Sequence, residues 1–280
     1  MKFCKNAAVL AAGCAVAWTL AGSEQVHAQQ VTLSVVSNVD NELGGVTFTD
    51  EDAIDYNIAT DIGTSFFSVE AGDLDAFHLL PNGNVLVSTA FNGSFNGVTF
   101  DDGDIVEINP TTLAVTTVFS SDSVFTSTSE DVDAVSVAPN GDLLLSVQSD
   151  ASIGSEDFSD GDILRFVPGT STLSVEVAES DIFLFPLADL DGIHLLNDGR
   201  FALSTVADET VGSVAFEDGD IFIYDPVADT ATLFFDEDSF GGTTDQDVNA
   251  LFVSAIPEPA TLGLLAVAGL GLLRRRGSTS

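Results

Sequence analysis

The chain has 280 residues, and its 44 acidic residues against seven lysines and arginines give a formal net charge of −37. Only Arg165 and Arg200 lie between residues 29 and 256, where 42 acids leave a net charge near −40. This charge excludes nucleic acid and anionic lipid as partners and favours cations. Both cysteines, Cys4 and Cys14, lie before residue 29, so the body of the chain has no disulfide and no thiol chemistry.

Residues 1–28 have the pattern of a secretory signal peptide. Lys2 and Lys5 precede an apolar run from residue 7 to about residue 22, and the small residue Ala28 closes the segment. Basic, apolar and small-residue segments in this order predict cleavage by signal peptidase after Ala28.

The body begins with strand-like segments. Residues 31–37 alternate apolar and polar side chains, and residues 53–58 and 64–69 have the same extended character. The first complete unit starts at Asp73 and passes through a Pro-Asn-Gly turn at residues 81–83 into a second extended run. Two extended runs joined by such a turn predict a β-hairpin.

An Asp-x-Asp couplet precedes each hairpin and returns at a fixed interval. Six successive couplets follow one another with a period of about 29 residues, and a constant period of this size is typical of a repeat architecture. One further couplet at each end extends the series with a slightly shorter step. The sixteen aspartates are Asp50, Asp52, Asp73, Asp75, Asp102, Asp104, Asp131, Asp133, Asp160, Asp162, Asp189, Asp191, Asp218, Asp220, Asp245 and Asp247.

Two hairpins recur together at twice the couplet interval, and four antiparallel strands are what one propeller blade requires. The order of apolar strands, Pro-Asn-Gly turns and Asp-Gly-Asp-Ile segments resembles β-propeller blades in general. Three units are complete. A fourth assembles from residues 247–254, 31–37 and 53–69, a closure that hides strand edges. The sequence predicts an all-β, four-bladed β-propeller over residues 29–256. An open solenoid of β-hairpins, or a larger ring made from two chains, is the alternative.

The predicted strand order places function on one face. Strands 1 and 3 of an antiparallel blade begin on the same side, so all eight couplets should lie together. We expect longer, variable loops at residues 90–100, 148–158 and 206–216 on this face and tight turns on the other. Any binding site should therefore lie on the couplet side.

The couplets admit two interpretations. Residues i and i+2 of an extended segment point to the same side, so each couplet presents two carboxylates that repel each other. Because almost no lysine or arginine is available, Ca²⁺ would relieve this repulsion, and it tolerates irregular oxygen shells. On this hypothesis all sixteen aspartates are metal ligands. The other interpretation is structural: aspartates before strands often accept hydrogen bonds from nearby backbone N–H groups.

Other residues recur with the blades. His78 and His194 occupy equivalent positions, and this repetition indicates packing rather than catalysis. Phenylalanines stand two residues before four couplets and are predicted to anchor the blades: Phe48, Phe100, Phe158 and Phe216. Arg165 and Arg200 should pair with neighbouring carboxylates. No nucleophile elbow, zinc-binding His-Glu-x-x-His or phosphate loop is present, so no catalytic residue is predicted.

The C-terminal two dozen residues carry three features in order. Pro257, Glu258 and Pro259 precede an apolar run from residue 260 to residue 273, and Arg274, Arg275 and Arg276 follow it. This arrangement resembles the PEP-CTERM sorting signal of Gram-negative bacteria. The resemblance implies export, processing near the Pro-Glu-Pro by an exosortase-type protease, and a final place at the cell surface or in the extracellular matrix. The apolar run would then be a short hydrophobic helix that holds the chain in the membrane only transiently.

Three functional hypotheses follow from the sequence. The favoured one is an exported, non-enzymatic binding module, stabilised by Ca²⁺, with a polysaccharide or another surface protein as partner. The alternative is a metal-dependent propeller hydrolase of the lactonase or phosphoesterase type. It would use acids that break the repeat, namely Glu107, Glu156, Asp208 and Glu209. A third hypothesis attributes the acidity to a saline habitat.

Overall fold

The computed structural model describes residues 30–36, 41–125, 130–153, 155–170, 172–185, 188–241 and 246–254. Within these ranges the chain is all β except for two short α-helices and one 3₁₀ turn. Four separate antiparallel sheets contain four strands each. The predicted all-β propeller with four blades is therefore confirmed.

The blades follow the predicted repeat. Blade 1 contains Ala76–Leu79, Val85–Ser88, Ile105–Asn109 and Ala114–Phe119. Blade 2 contains Ala134–Val137, Leu143–Ser146, Ile163–Val167 and Thr172–Val177. Blade 3 contains Leu190–Leu195, Phe201–Thr205, Ile221–Asp225 and Thr230–Phe235. Blade 4 contains Ala250–Val253, Gln30–Ser34, Asp52–Asn57 and Ile62–Ser68. Each strand pairs with the next in this order, and the first strand of each blade is its inner edge.

Packing, rather than backbone pairing, joins the blades into a ring. The four first strands contact one another in the cyclic order 1, 2, 3, 4 and back to 1. Four buried apolar clusters lie at the four junctions between neighbouring blades. No strand ladder connects two blades in the described part of the chain. The open-solenoid alternative is excluded, since its first and last units would not meet.

Burial decreases from the inner to the outer strand of each blade. All four residues of Val85–Ser88 and of Leu143–Ser146 are buried, because a neighbouring blade covers each face of these strands. The outermost strand Thr172–Val177 has no buried residue. This gradient explains why the inner strands have near-continuous apolar sequences, whereas the outer strands are rich in threonine and serine.

Blade 4 closes the ring with strands from both ends of the chain, as predicted. Ala250–Val253 pairs antiparallel with Gln30–Ser34, so that Val31 lies opposite Val253 and Ser34 opposite Ala250. At the outer end of this pair the Ser254 N–H donates to the Gln30 carbonyl over 3.1 Å. The strand that completes the blade therefore ends immediately before the C-terminal segment.

The two faces of the propeller differ. We call the face that holds Asp73, Asp131, Asp189 and Asp247 the couplet face, because all four first strands begin there. The expected loops at residues 90–100, 148–158 and 206–216 are in fact β-hairpins that extend from this face. We call these three hairpins, and the equivalent one beside blade 4, the side hairpins. The first three pair Gly93–Phe95 with Val98–Phe100, Ala151–Ile153 with Glu156–Phe158, and Glu209–Val211 with Val214–Phe216. In the fourth, Asn41–Leu43 pairs with Val46–Phe48 and with the short strand Phe240–Gly241.

Short helical turns complete the couplet face. The helices Ser121–Val124 and Glu179–Ile182 and the 3₁₀ turn Glu237–Ser239 each follow the fourth strand of a blade. The opposite face carries the tight turns between strands 1 and 2 and between strands 3 and 4, as the sequence predicts.

The glycine inside the Asp-Gly-Asp couplets allows neighbouring blades to touch. A Cβ atom added at Gly161 would lie 2.3 Å from the Ala188 carbonyl oxygen of the next blade, and one added at Gly219 would lie 1.9 Å from the Gln246 carbonyl oxygen. Since a backbone carbonyl cannot rotate away, only glycine fits at these junctions.

We expect Gly161→Ala to lower the free energy of unfolding by about 3 kcal/mol, the range of an overpacked interior. The matched control is Gly141→Ala at a tight turn, where φ is +90° and no atom lies within 4 Å of the new Cβ. Backbone strain alone should make that change cost about 1 kcal/mol. Chemical denaturation of both variants measures the difference, and equal losses would contradict contact between the blades as the reason for glycine.

Candidate functional site

The structure divides the couplets into an outer and an inner set. The outer couplets precede the third strands and are Asp50/Asp52, Asp102/Asp104, Asp160/Asp162 and Asp218/Asp220. The inner couplets precede the first strands, at the centre of the couplet face, and include Asp73/Asp75, Asp131/Asp133 and Asp189/Asp191. Both sets lie on the same face, because the first and third strands of a blade run in the same direction.

The last couplet takes a different register from the predicted one. Asp247 and Asn249 precede Ala250–Val253 as Asp131 and Asp133 precede the first strand of blade 2. They also follow Asp218 and Asp220 at the interval that separates the earlier couplets, so the period continues without a shortened step. Asp245 lies outside the described residues. Asn249 is therefore a site residue that a search for aspartate pairs missed, although counting the period to the end would have found it.

The second aspartate of each outer couplet has a structural role. Asp162 accepts the N–H of Ser159 over 3.0 Å and the N–H of Glu179 over 2.8 Å. Asp220 accepts from the equivalent residues Glu217 and Glu237 over 3.0 and 3.2 Å. These bonds tie the start of strand 3 to the helical turn after strand 4, which is the structural interpretation of the couplet.

Equivalent bonds form in the two remaining blades. Asp104 accepts the N–H of Ser121 over 3.2 Å, and Asp52 accepts the N–H of Thr49 over 3.0 Å. The first outer aspartate contributes its backbone, since the Asp50 carbonyl accepts the Leu74 N–H of the next blade over 2.8 Å. The outer couplets thus organise the blades whether or not a metal binds there.

The inner couplets are buried. Asp75, Asp133 and Asp191 expose 4%, 4% and 3% of their surface, and Asp131 exposes 6%. Both carboxyl oxygens of Asp75 and Asp133 lack a hydrogen-bond partner among the described residues, and those of Asp191 make only contacts of poor geometry, with Asp247 and Ser204. A buried polar group without a partner destabilises the fold by about 1–3 kcal/mol, and more when it is charged. These inner aspartates are thus the carboxyl groups of the couplet face that are buried without enough hydrogen-bond donors.

The inner aspartates meet in pairs across the blade junctions. Asp131 is the strongest charged neighbour of Asp75, Asp189 that of Asp133, and Asp247 that of Asp191. At the junction of blades 4 and 1 the equivalent pair is Asn249 and Asp73, and there the Asn249 Nδ2 donates to Asp73 Oδ1 over 3.3 Å. The four junctions therefore bring equivalent sequence positions near one another, with two carboxyl groups at three of them and an amide and a carboxylate at the fourth.

Burial and neighbouring carboxylates raise the pKa values of the inner aspartates. Burial first, and then nearby aspartates, raises the pKa of Asp73, Asp189 and Asp247 to about 7, and the pKa of Asp131 to about 6. The pKa values of Asp75, Asp133 and Asp191 are raised well above the usual range for the same reasons. Near neutral pH the inner aspartates can therefore bind protons or cations.

The described residues contain no group of three or more histidine, aspartate or glutamate side chains already arranged around a metal position. Three of the four junctions bring two carboxyl groups within electrostatic reach of each other instead. A Ca²⁺ ion takes six to eight oxygen ligands, so waters or backbone carbonyls would have to complete its shell at such a pair.

The histidines lie deeper along the central axis. His78 and His194 come from opposite blades, and their ring centroids are 5.4 Å apart in a stacked arrangement. Phe252 packs edge-on against both rings, at 5.1 and 4.5 Å. Burial lowers the pKa of His78 to about 3, with a contribution from His194, and that of His194 to about 4. The two neutral histidine rings and Phe252 therefore pack together at the axis, which fits the predicted packing role of the histidines.

Both arginines and the four recurring phenylalanines are placed as predicted. Arg165 binds Glu176 at 2.7 Å and Asp142 at 3.0 Å, and Arg200 binds Asp198 at 2.7 Å. The phenylalanines that close the side hairpins are Phe48, Phe100, Phe158 and Phe216, which expose 2%, 6%, 6% and 2%. The arginines thus neutralise surface acids away from the inner couplets.

The acids proposed for the hydrolase alternative lie in different parts of the molecule. Glu107 accepts a hydrogen bond from Asn84 near the tight-turn face, and Glu156 is exposed on a side hairpin. Asp208 and Glu209 line a groove of about 470 Å³ beside the side hairpin of blade 3. Blade 2 has an equivalent acidic groove of about 410 Å³. The described structure does not bring these four acids together.

The predicted signal-peptide cleavage site at Ala28 and the sorting residues from Pro257 to Arg276 lie outside the described residues. In sequence, residues 255–276 match the PEP-CTERM protein-sorting motif. This motif marks the chain as an exported, surface-targeted protein, and such signals are processed by exosortase. No helix in the described part of the chain is long and apolar enough to cross a membrane.

No curated protein sequence matches the chain. Several solved structures are similar to it at low identity. An inactive virginiamycin B lyase from Staphylococcus aureus with quinupristin is 10% identical, with a TM-score of 0.33, over 72% of this chain and 55% of the lyase. YCF48 bound to a D1 peptide is 13% identical, with a TM-score of 0.34, over 69% of this chain and 49% of that one. An auxiliary nutrient binding protein from Bacteroides ovatus is 10% identical, with a TM-score of 0.34, over 82% of this chain and 42% of that one. The chain thus spans about half the length of the first two structures.

Proposed function

We propose that this exported protein is a non-enzymatic binding module, stabilised by Ca²⁺, at the cell surface or in the extracellular matrix of a Gram-negative bacterium. Its couplet face would be the binding surface, and a surface polysaccharide or another surface protein would be the partner. The observation that carries the proposal is the concentration of buried, unpartnered carboxyl groups at the centre of one face of the propeller.

The position of the chain ends supports the couplet face as the binding surface. Ser254 precedes the sorting motif at residues 255–276 and lies beside Gln30 on the tight-turn face. A chain held at its C-terminal segment during sorting would therefore turn the couplet face away from the attachment point. The acidic surface would face whatever partner is present outside the cell.

The charge of the face restricts what it can bind. The body of the chain has a net charge near −40, which repels anionic polymers, and the described arginines are already paired with carboxylates. A bound divalent cation would reduce this repulsion locally and could itself bridge to a hydroxyl-rich or acidic partner. Binding should therefore depend on Ca²⁺.

We expect CaCl₂ to raise the melting temperature of the exported protein more than NaCl does at equal ionic strength. Ligand at 100 times its dissociation constant adds about 2.7 kcal/mol to the free energy of unfolding, which corresponds to about 5–10 °C for a domain of this size. Mg²⁺ at the same concentration is the control, because its small octahedral shell suits an irregular site less well.

Equal responses to Na⁺ and Ca²⁺ would contradict the proposal and favour the saline-habitat hypothesis. A second measurement compares retention of the protein on isolated surface polysaccharide in millimolar Ca²⁺ and in excess chelator. Retention that is identical in the two solutions would contradict a cation-dependent binding surface.

A further inference from the structure

Three blade junctions on the couplet face share one arrangement of acids. Each brings together the second inner aspartate of one blade and the first inner aspartate of the next. The pairs are Asp75 with Asp131, Asp133 with Asp189, and Asp191 with Asp247. The first outer aspartate of the earlier blade is also within electrostatic reach, for example Asp102 at the first junction and Asp160 at the second. Three acids therefore act on one another at each junction.

The fourth junction, between blades 4 and 1, has an amide in place of one of the two carboxyl groups. Asn249 stands where the others have aspartate, and its amide donates a hydrogen bond to Asp73 over 3.3 Å. The amide is neutral and has two donor hydrogens. One repulsive charge is thereby removed and a donor supplied, although the Asn249 Oδ1 is itself buried without a hydrogen-bond partner among the described residues.

The other three junctions have no such amide. Asp75, Asp133 and Asp191 are at least 95% buried, and neither carboxyl oxygen has a hydrogen-bond partner of good geometry in the described ranges. One oxygen of each facing aspartate, Oδ1 of Asp131, Asp189 and Asp247, is also buried without a partner. Ionised carboxyl groups that act on each other in a buried, low-dielectric region repel more strongly than they would in water. A positive species bound between them would relieve this repulsion.

We propose that the three carboxyl junctions are divalent-cation sites that take Ca²⁺, so that the protein binds three ions and uses them to join blade 1 to 2, blade 2 to 3 and blade 3 to 4. This assignment deepens the proposed function and rests on it. A proton shared by a carboxyl pair neutralises one of its two charges, whereas a divalent ion neutralises both. Carboxylates with water and backbone oxygens form the type of shell that Ca²⁺ accepts.

Substitution of the aspartates by asparagine tests the assignment, because it copies the fourth junction into the other three. The triple variant Asp75→Asn, Asp133→Asn and Asp191→Asn should fold and should melt higher than the wild type in excess chelator. In calorimetric titration the wild type should bind three Ca²⁺ ions, and the triple variant should lose these sites or bind at least tenfold more weakly. Its melting temperature should no longer respond to Ca²⁺.

The reverse substitution creates a site. Asn249→Asp gives the fourth junction the same carboxyl pair as the others, and the number of bound Ca²⁺ ions should rise from three to four. Asp229→Asn, at an exposed tight turn on the opposite face, is the matched control and should leave the stoichiometry at three.

The outcomes separate this assignment from the proposed function. A triple variant that retains the full stoichiometry and melting response would place the Ca²⁺ sites elsewhere, which overturns the junction assignment and leaves a Ca²⁺-stabilised module. A wild type that shows neither heat nor a melting response overturns both. A stoichiometry unchanged by Asn249→Asp also overturns the junction assignment.

Discussion

In the presence of a chelator, the protein is expected to melt at a lower temperature at pH 7.5 than at pH 5.5. Burial and neighbouring carboxylates raise the pKa of Asp73, Asp189 and Asp247 to about 7, from 3.8 in an unperturbed aspartate. Between about pH 4 and pH 7 the folded protein therefore binds more protons than the unfolded chain. The free energy of unfolding must then fall as the pH rises through this interval.

The buried histidines act in the opposite direction. Their pKa values are lowered to about 3 for His78 and about 4 for His194, from 6.5. Below pH 6.5 the unfolded chain takes up protons that these folded histidines do not, which destabilises the fold as the pH falls. Two histidines oppose more than twice as many aspartates, because Asp75, Asp131, Asp133 and Asp191 are also shifted upward. The aspartates should determine the sign down to about pH 5.

Each net proton changes the free energy of unfolding by about 1.4 kcal/mol per pH unit. A net excess of one proton across two pH units would lower the melting temperature by about 5–10 °C. Differential scanning calorimetry from pH 5.5 to 7.5 measures this slope. Addition of Ca²⁺ should flatten or reverse it, since the metal competes with protons for the same carboxylates. Asp133→Asn should reduce the slope in chelator, because it removes a buried carboxyl group whose pKa is raised. A melting temperature that rises with pH in chelator would contradict the raised pKa values.

Much of the fold could be predicted because the repeat has a local physical cause at each position. The Pro-Asn-Gly turn at residues 81–83 and the Asp-Gly-Asp segments have the turn chemistry of hairpins, and inner strands such as Val85–Ser88 are apolar throughout. The period also located the closing strand, since residues 247–254 continue the series after blade 3. These signals are local, so the sequence alone carries them.

The division of the couplets was not predicted, although the middle residue differs: it is leucine or valine in the inner couplets and glycine in three of the four outer ones. Asp75 is buried without a hydrogen-bond partner of good geometry, whereas Asp104 accepts the Ser121 N–H. The difference depends on which strand lies at the centre of the ring, and only tertiary packing decides that. The side hairpins were missed for a related reason: strands of three residues, such as Val98–Phe100, are too short to show a period.

A chain that ends after Asp247 is expected to lose its cooperative fold, whereas one that ends after Ser254 is expected to keep it. The first change removes Ala250–Val253, the inner strand of blade 4. Its loss would expose the edge of Gln30–Ser34 and uncover the apolar clusters at two junctions, to which Leu251 and Ala250 contribute. It would also remove the Asn249 amide from Asp73 and Phe252 from the two histidines.

The expected loss is large because the strand closes a ring. Leu251 exposes 1% of its surface and Val253 exposes 5%, and removal of one such side chain alone costs about 2–5 kcal/mol. A native domain is stable by only about 5–15 kcal/mol. Without this strand, the first strands of blades 1 and 3 also lose the strand that packs against both of them. Far-ultraviolet circular dichroism during heating should show a cooperative transition for the longer chain and none for the shorter one.

This comparison also tests whether the proposed processing near Pro257 would leave a stable product. The last strand ends at Val253, shortly before Pro257, so cleavage at the Pro-Glu-Pro leaves the closing strand in place. Cleavage only a few residues earlier would remove part of the strand and open the ring. A shorter chain that melts with the same cooperativity as the longer one would show that the ring is stable without its closing strand, and the link between fold and processing site would fail.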